Sequence, residues 1–407
     1  MNYKKLLVLS STYPRWRGDP EPGFVHELAK RMTAQLEVRV LCPHAQGALT
    51  QETLEGVEIV RYRYAPSRFE TLVNNGGIIN NLKCQPWKWL LVPFFLLRLL
   101  WCTWREVRGW HPDIIHAHWL LPQGLTVALL GLLDHRTPPL FVTSHGADLF
   151  ALRAYPLTAL KRFVARHAAA LTVVSQAIKD ELARIGVSIH KVTVQSMGVN
   201  LTSRFITAPD QLRSRDEILF VGRLVEKKGL RFLLAALPEI LSNHPSAFLT
   251  VVGYGPEENE RRAQAESLGI THKVNFLGAL TQAELPTLYQ RAAVFVAPFI
   301  QADSGDQEGL GLVLVEALGC GCPVVASHLP ATLDVVRDKV TGLLTQPGDT
   351  ADLVVKINRL LNEPKLGVQL GQAGRKLVAS HYDWNQVTER YLAILNQVAV
   401  QVREQIP

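Results

Sequence analysis

Short apolar runs alternate with helical patterns along the whole chain, and the alternation predicts β-α-β units built on parallel sheets. In the first half the runs predict strands at Leu6–Ser10, Val38–Leu41, Ile114–Ala117, Leu140–Thr143 and Leu171–Val174. In the second half they predict strands at Ile218–Val221, Leu249–Val252, Val274–Phe276, Val294–Ala297 and Val324–Ala326. Both sets end near Gly, Ser, His or Pro, at the strand ends where open α/β sheets place their ligands. The polar segment Gln195–Arg215, with its Met-Gly-Val-Asn turn, marks the boundary between the halves, and Tyr382–Gln401 is helical in pattern. The chain carries no low-complexity tract and no short-period repeat.

Residues 87–108 stand apart from this alternation. Their longest uncharged run, Trp89–Leu97, falls well short of the roughly 20 residues that span a bilayer. On a helical wheel Arg98, Arg105 and Arg108 share one side, and tryptophans and leucines cover the rest. That pattern suits a helix lying in a membrane interface, or a helix packed on the core of the first half with its arginines in water.

At 407 residues the chain is long enough for two domains. A hydrophobic content of 47% with 19% charged residues is that of a globular protein rather than a disordered one. Charge is unevenly placed: residues 1–200 carry 23 Lys+Arg against 14 Asp+Glu, a balance of +9, while the rest carries 20 against 22. The basic first half suits an anionic partner such as a membrane surface or a lipid phosphate. Five cysteines with no C-x-x-C spacing argue against a disulfide framework or a zinc site and favour a reducing compartment. Near the start, Leu6-Leu-Val-Leu9 is too short for a signal-peptide core and reads as a first buried strand.

The densest chemistry lies at Glu308-Gly309-Leu310-Gly311-Leu312-Val313-Leu-Val-Glu316, two carboxylates separated by two glycines and an apolar run. The glycines let backbone N–H groups approach an anion, and the run opens a buried helix. Such a loop can hold a sugar on Glu308, a pyrophosphate on the helix N-terminus and a ribose on Glu316. Gly222-Arg223, followed by Lys228-Gly229, adds two cations after a predicted strand. Fixed cations of this kind stabilise charge that develops on a departing diphosphate. The chain contains no D-x-D, a common arrangement for holding Mg²⁺ on a nucleotide-sugar.

These strings, with Ala317-Leu-Gly-Cys-Gly-Cys-Pro-Val-Val-Ala326, closely resemble the donor-site signature of glycosyltransferase family 4. The resemblance covers nearly all of the chain and implies the α/β GT-B fold, two Rossmann-like domains with parallel sheets facing across a cleft. It implies an acceptor domain at 1–198, a nucleotide-sugar domain at 199–381 and a terminal helix, 382–407, crossing back to the first. In the family Arg223 and Lys228 would hold the diphosphate, and Gly253 and Gly255 would line the nucleotide. The strand at Val274 would lie beside the base. Thr143-Ser-His145-Gly146-Ala-Asp148 resembles the family's H-G-x-D element, whose histidine faces the transferred sugar; Asp148 is equally a helix cap. His118, on one face of a strand with His116, reads as acceptor-cleft lining, with a metal pair or simple packing as alternatives.

The segment from Ser10 to Leu28 corresponds to the family's glycine-rich N-terminal loop but has Pro22-Gly23 where paired glycines are usual. Arg15 and Arg17 are candidates for holding an anionic acceptor, with solvated surface charge as the rival reading. The resemblance implies a retaining enzyme in which the leaving phosphate accepts the proton of the incoming hydroxyl. No metal or other cofactor and no nucleic-acid partner is expected. The lead-in Gln301-Ala-Asp-Ser-Gly-Asp306-Gln resembles bacterial polysaccharide members, so the expected acceptor is a glycan or polyprenyl-linked hydroxyl at the inner face of the cytoplasmic membrane. A UDP-sugar is favoured over a GDP-sugar. The alternatives are a soluble acceptor (sugar phosphate or aminocyclitol), a silent nucleotide-sugar-binding scaffold, and a pyridoxal-phosphate phosphorylase.

Overall fold

The computed structural model describes residues 3–19, 23–74, 77–150, 152–208 and 213–404. The chain divides into two compact units, residues 1–196 with 387–407 and residues 197–386. The borders fall slightly before 198 and after 381, the positions read from the sequence.

The first unit holds eight strands: β1 (Lys5–Leu9), β2 (Glu37–Pro43), β3 (Gln51–Leu54), β4 (Val57–Tyr62), β5 (Ile114–His118), β6 (Leu140–Ser144), β7 (Ala170–Val173) and β8 (Val192–Val194). Their order in the sheet is β3-β4-β2-β1-β5-β6-β7-β8, so the sheet grows in one direction from β1 to β2 and in the other from β1 to β5. All neighbours are parallel except β3 and β4, which pair antiparallel through a turn at Glu55-Gly56. That hairpin departs from the all-parallel expectation. Gln51-Glu-Thr-Leu is an edge strand with Gln51 and Thr53 exposed and Glu52 paired with Arg61, so it lacks the continuous apolar run of a buried strand.

Four helices of this unit matter below: α1 (Phe24–Met32), α2 (Val92–Trp110), α3 (Leu125–Leu133) and α4 (Tyr155–His167). The segment read as either interfacial or core-packed has one face packed in the core and the other exposed. Phe95, Leu99, Cys102, Thr103, Glu106 and Val107 of α2 are buried, while Phe94, Leu97, Trp101 and Trp104 are exposed.

The second unit is a six-stranded, wholly parallel sheet of β9 (Glu217–Val221), β10 (Phe248–Val252), β11 (Val274–Gly278), β12 (Val294–Ala297), β13 (Val324–Ser327) and β14 (Leu343–Thr345). Its order is β11-β10-β9-β12-β13-β14, with the direction of growth reversing between β9 and β12. Helices α5 (Leu230–Asn243), α6 (Leu285–Arg291) and α7 (Leu312–Gly319) cover its faces. The core is apolar and largely aliphatic, running from Ile218, Phe220, Leu249 and Val251 on the strands to Leu233, Leu234 and Leu237 on α5. Burying strands on both faces is why they read as unbroken Val/Ile/Leu runs. The last helix, α8 (Trp384–Glu404), leaves the second unit and belongs to the first from Val387 onward. There Tyr391 donates to the carbonyl of Gln195 and lies against Phe141 and His116.

Candidate functional site

In an open parallel sheet, the point where strand order reverses leaves a crevice at the strand C-termini. The second unit has this point between β9 and β12, and the residues following these two strands form the candidate site. After β9 come Gly222 and Arg223, then a 3₁₀ turn at Glu226–Lys228. After β12 comes the loop that carries Glu308 into α7. Lys228 Nζ donates to Glu308 Oε2 at 2.6 Å, and its ammonium lies 4.5 Å from the centre of the Phe299 ring. Lys227, a residue the motif reading passed over, pairs with Asp306 at 3.1 Å and also donates to the Gln307 carbonyl. The two lysines thereby fasten the turn after β9 to the loop after β12.

The electrostatics follow from that packing. Burial pushes the Glu308 carboxyl up, but Lys228 and Lys227 outweigh it and hold the group at about 2. Burial draws the Lys228 ammonium down against the pull of Glu308, and the nearby Arg223 adds to the lowering. Arg223 itself is exposed on its turn.

Gly311 takes a left-handed φ of 79° and caps α7, a conformation that costs a residue with a Cβ. No side chain caps the helix, and while Leu314 N donates to the Gly311 carbonyl, the amides of Leu312 and Val313 and the positive end of the helix dipole suit an anion. Gly309 and Leu310 are buried beneath this loop, and Leu312 and Val313 are half-buried at the start of the helix. Within α7, Glu316 is buried and accepts from Tyr289 Oη at 3.0 Å and Gln282 Nε2 at 3.3 Å. Burial raises its carboxyl to about 7, against those two donors and the more distant Lys228 and Arg204. Tyr289 on α6 is fully buried, and its spacing in an apolar helix pattern marks it only as core.

The glycines after β10 serve close packing. A Cβ on Gly253 would stand 1.9 Å from the Gly222 carbonyl oxygen, and one on Gly255 would stand 2.3 Å from that of Leu224. Val274 is displaced from its expected place. It opens β11 and is buried in the aliphatic core, at the opposite strand end from the crevice. The C-terminal end of that strand, Gly278, is the part beside the site, where its carbonyl accepts from Gly253 N at 2.8 Å.

The first unit has its own reversal point, between β1 and β5. His145 follows β6, half-buried, with Phe24 and Trp119 rings at 4.8 and 5.0 Å. His118 does not line an open cleft: it is buried at the end of β5, and its Nδ1 hydrogen-bonds with His145 Nε2 at 2.9 Å across nearly parallel rings. Alternation places His116 on the same face, where its Nε2 bonds with Thr143 Oγ1 at 2.8 Å. Burial lowers all three histidines, His116 and His145 to about 3 and His118 well below its usual range, so the cluster is neutral at physiological pH.

Asp148 accepts from the Leu120 amide at 2.7 Å and Ser144 Oγ at 2.8 Å, tying the His145 turn to the loop after β5. Trp119, at a positive φ of 77° rarely seen in a bulky residue, completes the wall beside His145. Gly23 precedes α1 and accepts from Glu27 N, while Pro22 lies outside the described residues. Arg15 is committed to a bidentate pair with Asp19 and a stack on Trp16, which leaves it less suited to hold an acceptor; Arg17 is exposed.

Comparison with known proteins follows the same division. The model for glycosyl transferases group 1 matches residues 207–377, and that for Glycosyltransferase Family 4 matches residues 24–203. The GDP-mannose-dependent alpha-(1-6)-phosphatidylinositol monomannoside mannosyltransferase of Mycolicibacterium smegmatis is 30% identical over 66% of this chain and 74% of its own. Sucrose-phosphate synthase from Thermosynechococcus elongatus superposes with a TM-score of 0.79 at 21% identity, covering 98% of this chain and 100% of that one. The Anabaena protein HepE, solved in complex with UDP and glucose, gives 0.75 at 20% identity, covering 97% and 100%.

Proposed function

This chain is a glycosyltransferase of family 4 with the GT-B fold, and we propose that it moves a hexose from a UDP-sugar to a hydroxyl of a glycan or polyprenyl-linked acceptor. The product keeps the donor's anomeric configuration, and no metal takes part. The observation that carries this reading is the joining of Lys228, Glu308 and the uncapped start of α7 at one reversal point. In this reading Arg223, Lys228 and the α7 amides neutralise the diphosphate as its bond to the sugar C1 breaks. The acceptor oxygen bonds to C1 on the face the phosphate leaves, and its proton passes to a phosphate oxygen. Glu308 orients sugar hydroxyls, Glu316 accepts from the ribose, and neutral His145 hydrogen-bonds the transferred sugar.

The relative named for a phosphatidylinositol monomannoside acceptor supports a lipid-borne substrate, which we assign to bacterial cell-surface polysaccharide assembly at the inner face of the cytoplasmic membrane. Its name also favours a second donor reading, a GDP-sugar. Thermal-shift screening against UDP, GDP and their sugars separates the two, because a ligand that binds only the folded state raises its melting temperature. UDP and a UDP-hexose should shift it most. EDTA should leave transfer intact; loss in EDTA restored by Mg²⁺ or Mn²⁺, or a shift with no nucleotide at all, would overturn the reading.

A further inference from the structure

The first unit displays an apolar surface that the donor chemistry does not use. On α2 the exposed residues Phe94, Leu97, Trp101, Trp104 and Arg108 recur at alternating steps of three and four, forming one stripe along the helix. The opposite stripe is packed in the core. Leu90, Phe94 and Leu97 are 73%, 60% and 63% exposed, far more than isolated surface leucines require. On α3, Leu129, Leu132 and Leu133 are exposed in the same way. Arg108 Nε donates to Asp134 Oδ2 at 2.8 Å, which ties the end of one stripe to the end of the other. Patches of this kind mark interaction sites.

The charges beside the stripe identify the partner. Arg98 and Arg105 both stack over Trp101, at 4.9 and 5.1 Å, so two cations frame the centre of the apolar strip. No Asp or Glu occurs from residue 71 to residue 105. Glu106 is buried against Arg39 and also lies 3.7 Å from Arg105, and Asp134 is spent on Arg108. A second copy of this chain seated on the stripe would bring arginines against arginines, with both nearby carboxylates already committed to arginines of their own chain. No helix among the described residues is long and apolar enough to cross a membrane. Lys88, just before α2, is not among these cations: it is buried, donating to Thr71 O and Asn81 Oδ1.

We propose that the outward stripe of α2, continued by the exposed leucines of α3, docks the enzyme on an anionic lipid bilayer. The leucine, phenylalanine and tryptophan side chains enter the headgroup–acyl boundary, and Arg98 and Arg105 meet lipid phosphates. The docking deepens the reading of a lipid-borne acceptor and rests on it for its purpose, while the binding itself stands on this surface alone.

The test is co-sedimentation of the full chain with phosphatidylcholine vesicles and with vesicles containing phosphatidylglycerol, without donor or acceptor, alongside the nucleotide thermal shift. The protein should pellet with the anionic vesicles and detach as salt rises. Arg98→Gln with Arg105→Gln should weaken partitioning about fivefold per arginine. Phe94→Ser with Leu97→Ser should abolish it with the nucleotide shift retained, and Arg262→Gln in the second unit should change nothing. Equal pelleting with neutral vesicles overturns the proposal, as does self-association through the stripe without vesicle binding. Absence of binding while nucleotides still raise the melting temperature removes the docking face and leaves the transferase reading standing.

Discussion

The two sheets reverse strand order in the same way, yet the chemistry at their reversal points is opposite. In the second unit the point is occupied by ions: Lys228 with Glu308, Lys227 with Asp306, and Arg223 beside them. In the first it is occupied by stacked neutral rings, His116, His118 and His145, with Phe24 and Trp119 around them. Burial acts on both. Where a counter-charge lies within hydrogen-bonding distance, the charged form survives burial; where the neighbours are other imidazoles and aromatics, the proton is lost. One site thereby keeps fixed charge under burial, and the other excludes it.

The sharpest way to break this contrast is to remove its ions. Glu308→Gln or Lys228→Met should each lower turnover on the order of 10²–10³-fold if the pair acts on leaving-group charge. Each should also destabilise the fold by about 3–5 kcal/mol, because a buried charge loses its partner. The double variant should recover most of the stability and none of the activity, as read from melting curves and initial rates. Recovery of activity in the double variant would make the pair a structural strut.

A second test uses pH, where the histidines and Glu316 have opposite signs. The folded pKa values of His116 and His145 are depressed below the unfolded value near 6.5. Their contribution is therefore fully present above about 6.5 and is lost as pH falls toward the folded values, by about 1.4 kcal/mol per pH unit for each histidine held neutral. Glu316 is raised, so its contribution is present below its unfolded value near 4.5 and is lost as pH climbs through about 7. Denaturant unfolding of wild type should show stability dropping from pH 6.5 to 5, with a shallower slope in His116→Phe. An unchanged slope in that variant would mean the ring is charged when folded.

The smallest expected effect concerns Glu316, whose hydrogen-bond partners Tyr289 and Gln282 are both neutral. Removing the phenol in Tyr289→Phe deletes a hydrogen bond worth about 0.5–1.5 kcal/mol and lets burial raise Glu316 further. Donor affinity, measured by calorimetry, should fall several-fold near neutrality, and the pH at which it reaches half its alkaline value should move up. Equal affinity at every pH would detach Tyr289 from nucleotide binding.

These contrasts explain what was legible in the chain. Strands buried on both faces announce themselves as apolar runs, so ten of the fourteen were readable from composition. Those missed were the amphipathic hairpin β3–β4 and the three-residue strands β8 and β14, too short or too polar for a pattern. Within the second unit, Gly222, Lys228 and Glu308 stand in short motifs at the ends of adjacent strands, and local spacing sufficed to group them. Val274 shows the limit: the motif named the right strand, but only the register shows which end meets the crevice. For His118 the sequence left cleft lining, a metal pair and packing open for another reason: its role depends on a partner far along the chain and on packing depth, and a residue type alone specifies neither.

The backbone bridge between Val199 and Asp383 has an inheritance of its own. Val199 N donates to Tyr382 O at 2.8 Å, Trp384 N donates back to Val199 O, and Asp383 Oδ2 accepts from Leu201 N. The entry and exit of residues 197–386 are therefore clasped to each other. A segment whose two ends meet can be spliced out as a cassette without rethreading its host.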